Sequence, residues 1–222
     1  ELGTGQIRDA YSDALFPGIS TIQTRAKYFI TTPRIIRDFQ ALPPSRRKHG
    51  LQSYLKEREN EVARILASVH GEDEIGIIGR TRIQSGGVDR RPSVIYWNGL
   101  RTFGIVNTPL SLADFCRHIE TSASHSDMEL ADIAEGSDDK DAAHKDKFVF
   151  LPDKSSDWLS EDKLRLELSC GEAKFLKQKL IATPAIEHTV PTQLFRHALA
   201  DKAIDTESGE ANAFELLAEI ML

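Results

Sequence analysis

The stretch that decides the fold runs from Phe16 to Pro44, FPGISTIQTRAKYFITTPRIIRDFQALPP. Its apolar residues Ile22, Ala26, Phe29, Ile30, Ile36 and Phe39 recur at helical spacing, which predicts an amphipathic helix. Ser20 and Gln23 carry the S-x-x-Q spacing of a capping box, where each side chain satisfies a free amide, so the helix is expected to start at Ser20. Pro33 lies inside the run. It has no amide to donate and crowds the preceding turn, so a kink or a division is expected there. Pro43-Pro44 stops the helix, and Pro17-Gly18 separates it from a shorter one over Ile7 to Phe16.

Further helices follow downstream. Leu55, Val62, Ile65, Leu66 and Val69 form the core stripe of a helix over Leu51 to Val69, closed by Gly71. Pro92 sits at a first helical position, where its missing donor costs least. That helix runs to Phe103 with Val94, Ile95, Trp97 and Leu100 on its apolar side, and Gly104 ends it. Ser111 to Ile119 makes another helix. Ser169 and Glu172 form a second capping box opening a helix through Leu180. Helices over Pro191 to Ala200 and Ala211 to Leu222 complete the set. Strands are expected at Ile105-Val106, at Phe148-Val149-Phe150, and where Leu164, Leu166 and Leu168 alternate with polar residues. The expected fold is mainly α with minor β. A helical and winged-helix-like lobe spans 1–110, a helix and acidic loop span 111–147, and a C-terminal α/β lobe spans 148–222.

Hydrophobic residues make up 40% of the 222, enough for a packed core. No apolar run approaches the roughly 20 residues of a membrane span, and no secretory leader is visible, so a cytoplasmic location without membrane partners is expected. Cys116 and Cys170 alone suggest a reducing compartment rather than a disulfide scaffold. The chain opens on Glu1 and closes within an apolar pattern at Phe214 to Leu222, which reads as a piece of a longer protein. The net charge of −6 hides a split. Residues 1–110 carry an excess of Lys and Arg, while residues 111–222 are strongly acidic, which hints at an anionic partner for the first half.

Motifs for nucleotide phosphates, zinc proteases, serine hydrolases and CxxC redox sites are missing from the sequence. The histidines are scattered, and Asp138, Asp139 and Asp141 read as a solvated run. Neither a catalytic residue nor a metal or cofactor is assigned. The helix ending in Leu100-Arg101-Thr102-Phe103-Gly104-Ile105-Val106 is similar to the recognition helix of winged-helix modules. That analogy turns Ser93, Tyr96, Asn98 and Arg101 outward to phosphates or base edges. Arg80, Arg82, Arg90 and Arg91 flank it, and Arg46, Arg47 and Lys48 add a basic loop. The alternative reading makes Tyr96 and Trp97 core anchors and the arginines a solvated rim. Thr24, Arg25 and Tyr28 share a helix face and read first as a hydrogen-bonded joint, second as a binding face.

The stretches FPGISTIQTRAKYFITTP (Phe16 to Pro33), IIGR (Ile77 to Arg80), RPSVIYWNGLRTFGI (Arg91 to Ile105) and LELSCGEAKFLKQKL (Leu166 to Leu180) together resemble an uncharacterised prokaryotic domain-of-unknown-function family. That resemblance implies a neighbourhood of anti-phage defence genes and carries over no catalytic residues. Three functions follow as expectations. The first is a non-catalytic component binding nucleic acid, with duplex DNA as partner, in a defence system. The second is an adaptor that binds other protein subunits through apolar helices. An enzyme is the third.

Overall fold

The computed structural model describes residues 2–47, 49–71, 74–82, 90–121, 149–152, 157–204 and 218. Among them are eight helices: α1 (Leu2–Leu15), α2 (Tyr28–Ala41), α3 (Gly50–Val69), α4 (Pro92–Thr102), α5 (112–121), α6 (Cys170–Ala182), α7 (Val190–Arg196) and α8 (Ala200–Ile204). The acidic segment 122–148 and the helix expected over 211–222 lie outside the described residues, apart from Ala218.

α2 is the centre of the molecule. Every residue from Tyr28 to Ile36 is buried, as is Phe39. A helix buried on all sides needs partners all round, and α2 finds α3 on one side and α4 on another. α3 turns Leu51, Leu55, Val62, Ala63 and Leu66 inward, and α4 turns Tyr96, Trp97 and Leu100. One buried cluster runs from Tyr28 to Ile186 and draws on residues either side of 122–148. At its heart Phe29 meets Tyr96 edge-on with ring centroids 4.9 Å apart, and Tyr28 lies 5.4 Å from Tyr96.

The expected start at Ser20 is corrected to Tyr28. The Gln23 side chain does accept the Ser20 amide at 3.3 Å, as half a capping box would. It also donates to the carbonyls of Gly18 and Ile95, at 3.0 and 3.3 Å. Those bonds hold residues 18–27 as turns laid against α4. Gly18 sits there at φ 76°, and a Cβ at Gly99 would overlap the Gly18 carbonyl. A helical turn has no room in that approach. Pro33 does not divide α2, which runs unbroken from Tyr28 to Ala41.

Among the described residues the β component shrinks to one antiparallel bridge between Val106 and Val149. The winged-helix lobe is not shown either. After α4, Gly104 (φ 60°) gives the left-handed turn of a helix end, and the Ile105 amide returns to the Leu100 carbonyl at 2.9 Å. Arg101 and Trp97 then donate to the carbonyls of Thr108 and Leu110. The chain is drawn back along α4 into α5, where a wing would need a hairpin. Leu164 and Leu166 are buried and alternate with exposed neighbours as read, but in an irregular segment rather than a strand. Among the described residues no helix is long and apolar enough to cross a membrane.

Candidate functional site

The segment before α2 is fastened residue by residue. Thr24 donates to the Gly76 carbonyl at 2.8 Å. Arg25 donates to the Ile75 carbonyl and pairs with Glu74. The Tyr96 hydroxyl takes the Arg25 amide at 3.0 Å and donates to the Arg25 carbonyl at 2.9 Å, while the Tyr28 hydroxyl accepts from the Ile78 amide. Thr24, Arg25 and Tyr28 thus make a hydrogen-bonded joint to the 74–78 loop and α4. Thr24 is exposed, however, and both Thr24 and Arg25 precede α2 rather than sharing a helix face with Tyr28.

Two residues further on, the joint carries buried charge. Lys27 and Arg34 converge on Glu172 at 2.7 and 3.0 Å, with all three side chains at most 8% exposed. Glu172 also completes the capping box of α6 with Ser169, as read from the sequence. Burial pushes its carboxyl up. Lys27, the Ser169 amide and Arg34 more than reverse this and hold it below the usual carboxylate range. The convergence bolts the start of α6 to α2, and it aligns the next feature.

Between the 16–29 segment, the end of α4 and helices α6 to α8 runs an apolar groove of about 570 Å³. Ile19, Ala26 and Phe29 form one wall, Leu168, Leu176 and Leu180 another, with Phe195 of α7 and Ala200 of α8 at the far side. Lys174 and Lys177 stand on its α6 edge, and Lys177 rides over the Phe195 ring at 5.9 Å. Asp201 is the acid among its lining residues, and Cys170, an exposed free thiol, opens onto it. The 16–33 stretch thus supplies both the joint and a groove wall. A family model matches residues 1–201. The chain belongs to DUF6361, a family of unknown function. No curated protein and no solved structure matches the chain.

The basic residues expected to bind nucleic acid belong to several different segments of the chain. Tyr96 is fully buried and Ser93 nearly so, which corrects their outward placement, because α4 is clasped by α2 and α3 on the face that carries them. Only Val94 and Asn98 of α4 are exposed. Arg47 donates to the carbonyls of Leu42 and Gln40, capping α2, and Arg80 to those of Glu74 and Gly71. Arg101 holds Thr108. Arg46 and Arg90 are exposed and Arg91 is half-buried. Lys48 and the Arg82 side chain lie outside the described residues.

A second cavity, about 630 Å³, opens between α3, α4 and α5, with Gln52, Lys56, Arg91, Ser93 and Trp97 among its lining. Beneath it Glu59 accepts the Ser93 amide at 2.6 Å and the Ser93 hydroxyl at 3.2 Å. Burial raises its pKa to about 7, with the Ser93 bonds and Arg91 opposing. Cys116 also lines the cavity, with its pKa raised to about 11 by burial and the charges of Glu120 and Glu59, so it stays a thiol. No group of three metal-ligating side chains converges among the described residues. Glu59, the pairing of Glu172 with Lys27 and Arg34, and the groove were missed in the sequence. Their one signal was polar residues at core positions of helical runs.

Proposed function

We propose that this chain is a protein-docking module that receives an apolar segment in the groove between residues 16–29 and α6 to α8. The observation that carries this is the groove's chemistry, an open apolar trough edged by two lysines and walled by the 16–29 segment and α6 to α8. An open apolar patch of this kind is the mark of an interaction surface. α1 adds to it, since its apolar residues Ile7 and Tyr11 are 59% and 67% exposed. The expected occupant is an amphipathic helix with apolar anchors at three- and four-residue spacing and acidic flanks. Panning a displayed peptide library on the folded chain tests this. Enriched peptides of that pattern, with binding lost in Leu176→Lys, support the reading. Equal retention by parent and Leu176→Lys would remove it.

Duplex DNA is the second reading, favoured by the exposed guanidiniums of Arg46 and Arg90. Fluorescence anisotropy with random duplex DNA at low and moderate salt separates the two. Binding that falls steeply with salt and disappears in Arg46→Ala/Arg90→Ala would put DNA first.

A further inference from the structure

We infer that the cavity between α3, α4 and α5 is a binding site for a small organic monocarboxylate with an apolar body. It shares no described lining residue with the groove, so it stands apart from the docking reading. Three observations converge on it. The first is size and make-up. At about 630 Å³ the cavity falls in the range of small-ligand pockets. Leu55, Trp97 and Cys116 are buried residues of its lining and give it an apolar floor. The Trp97 indole is held there by its bond to the Leu110 carbonyl at 3.1 Å. The second observation is charge. Lys56 and Arg91 are both in the described lining, and no acid is among it. Gln52, Ser53 and Lys56 are exposed on one stretch of α3, so polar donors and a cation border the apolar floor.

The third observation is a donor without an acceptor. Arg91 is half-buried, and its Nη1 is enclosed with no hydrogen-bond partner among the described residues. Its backbone carbonyl is already taken by the Val94 and Ile95 amides, so the start of α4 does not depend on the side chain. A buried guanidinium nitrogen is normally satisfied, because an unmet charged donor forfeits its hydration. A small turn of the guanidinium toward the cavity lets a ligand carboxylate supply the acceptor, and the arginine fork matches the two oxygens of that group. Glu59 sets the ligand's charge. Its carboxyl lies beneath the cavity on Ser93 and acts on Arg91 through the field. A phosphate dianion would meet that acid with one enclosed guanidinium and one solvated lysine to offset it, so a single negative charge is favoured over two.

Trp97 supplies the test, because the chain has two tryptophans and Trp158 is not in the described lining. The full chain is titrated with naphthoate, naphthamide and naphthyl phosphate and followed by nitrogen–proton correlation NMR, with Trp158→Phe assigning the two indole signals. Naphthoate should shift the Trp97 indole and leave that of Trp158 in place, with a Kd under about 1 mM. Naphthamide, the same body without the charge, should bind at least about tenfold more weakly. Arg91→Gln should bring naphthoate down to the level of the amide. Ala113→Trp, which fills the cavity from the exposed side of α5, should abolish binding of both. Circular dichroism melts establish that each variant is folded. A Trp97 indole that does not move with naphthoate overturns the inference. So does equal affinity for acid and amide, or naphthoate binding unchanged in Arg91→Gln, since either would leave the guanidinium without a part in it. Binding that survives Ala113→Trp would place the site elsewhere, and tighter binding of the phosphate would overturn the monocarboxylate class.

Discussion

Glu172 and Glu59 are both buried carboxylates that accept a backbone amide at the start of a helix, yet their environments drive them in opposite directions. Glu172 accepts the amide of Ser169, the N-cap residue of α6, and Glu59 accepts that of Ser93 in the first turn of α4. Glu172 also meets two cations, Lys27 just before α2 and Arg34 within it, and stays ionised. Glu59 takes both its hydrogen bonds from Ser93, with Arg91 acting through the field, and its pKa rises to about 7. The difference teaches that amides at a helix start do not by themselves hold a buried acid ionised. Paired cations decide it. The Glu172 side therefore behaves as a fixed bolt, and the Glu59 side as a titrating one.

The largest expected effect breaks the bolt. Glu172→Gln removes the carboxylate that Lys27 and Arg34 share in a buried site, and should cost about 3–5 kcal/mol of unfolding free energy. Lys27→Met leaves a one-to-one pair of Arg34 with Glu172 and should cost clearly less. Urea unfolding of both variants at neutral pH measures the pair. Equal losses would show that Arg34 contributes nothing to holding Glu172, and the contrast drawn above would fail.

The sequence made much of the helical skeleton legible, because α2, α3, α4 and α6 are built on apolar spacing and local stop signals. Pro92 and Gly104 bracket α4 as read, and Ser169 with Glu172 opens α6. Long-range partners were not legible. Ser20-x-x-Gln23 has the local spacing of a box, but Gln23 turns to Ile95, 72 positions away. The winged-helix analogy placed Tyr96 outward, with a core anchor as the alternative reading, and the core anchor is what the structure shows. Its face of α4 is packed under α2, where its hydroxyl is satisfied by Arg25. The groove was hidden for the same reason. Its walls come from three separate stretches, each of which alone reads as ordinary core.

The next effect concerns the titrating side. Between the ordinary carboxyl range and pH 7 the folded chain keeps a proton on Glu59 that the unfolded chain releases. Native protein binding more protons means that stability falls as pH rises through this window. Glu172 has the opposite sign. Its contribution is full above the ordinary carboxyl pKa and is lost as pH falls through its lowered folded value. Glu59→Gln keeps an acceptor for the Ser93 amide and removes the charge. It should match the parent near pH 5 and exceed it by about 2 kcal/mol at pH 8. The same difference at both pH values would show that Glu59 does not titrate in this window.

The smallest effects sharpen the comparison at the two capping motifs. Ser169→Ala removes the acceptor for the Glu172 amide, a 3.3 Å bond, but leaves both cations and the Ser169 amide on the Glu172 carboxylate. A lost cap costs about 1 kcal/mol, and the remaining partners of Glu172 should keep the loss near that value. Ser20 has the same spacing to Gln23, but its hydroxyl is exposed and the segment is a turn, so Ser20→Ala should fall within about 0.5 kcal/mol of the parent. Thermal melts of the two variants decide whether a box contributes through its own bonds or through what its acid reaches. A Ser169→Ala loss as large as that of Glu172→Gln would mean that the cap, rather than the cations, holds Glu172 in place.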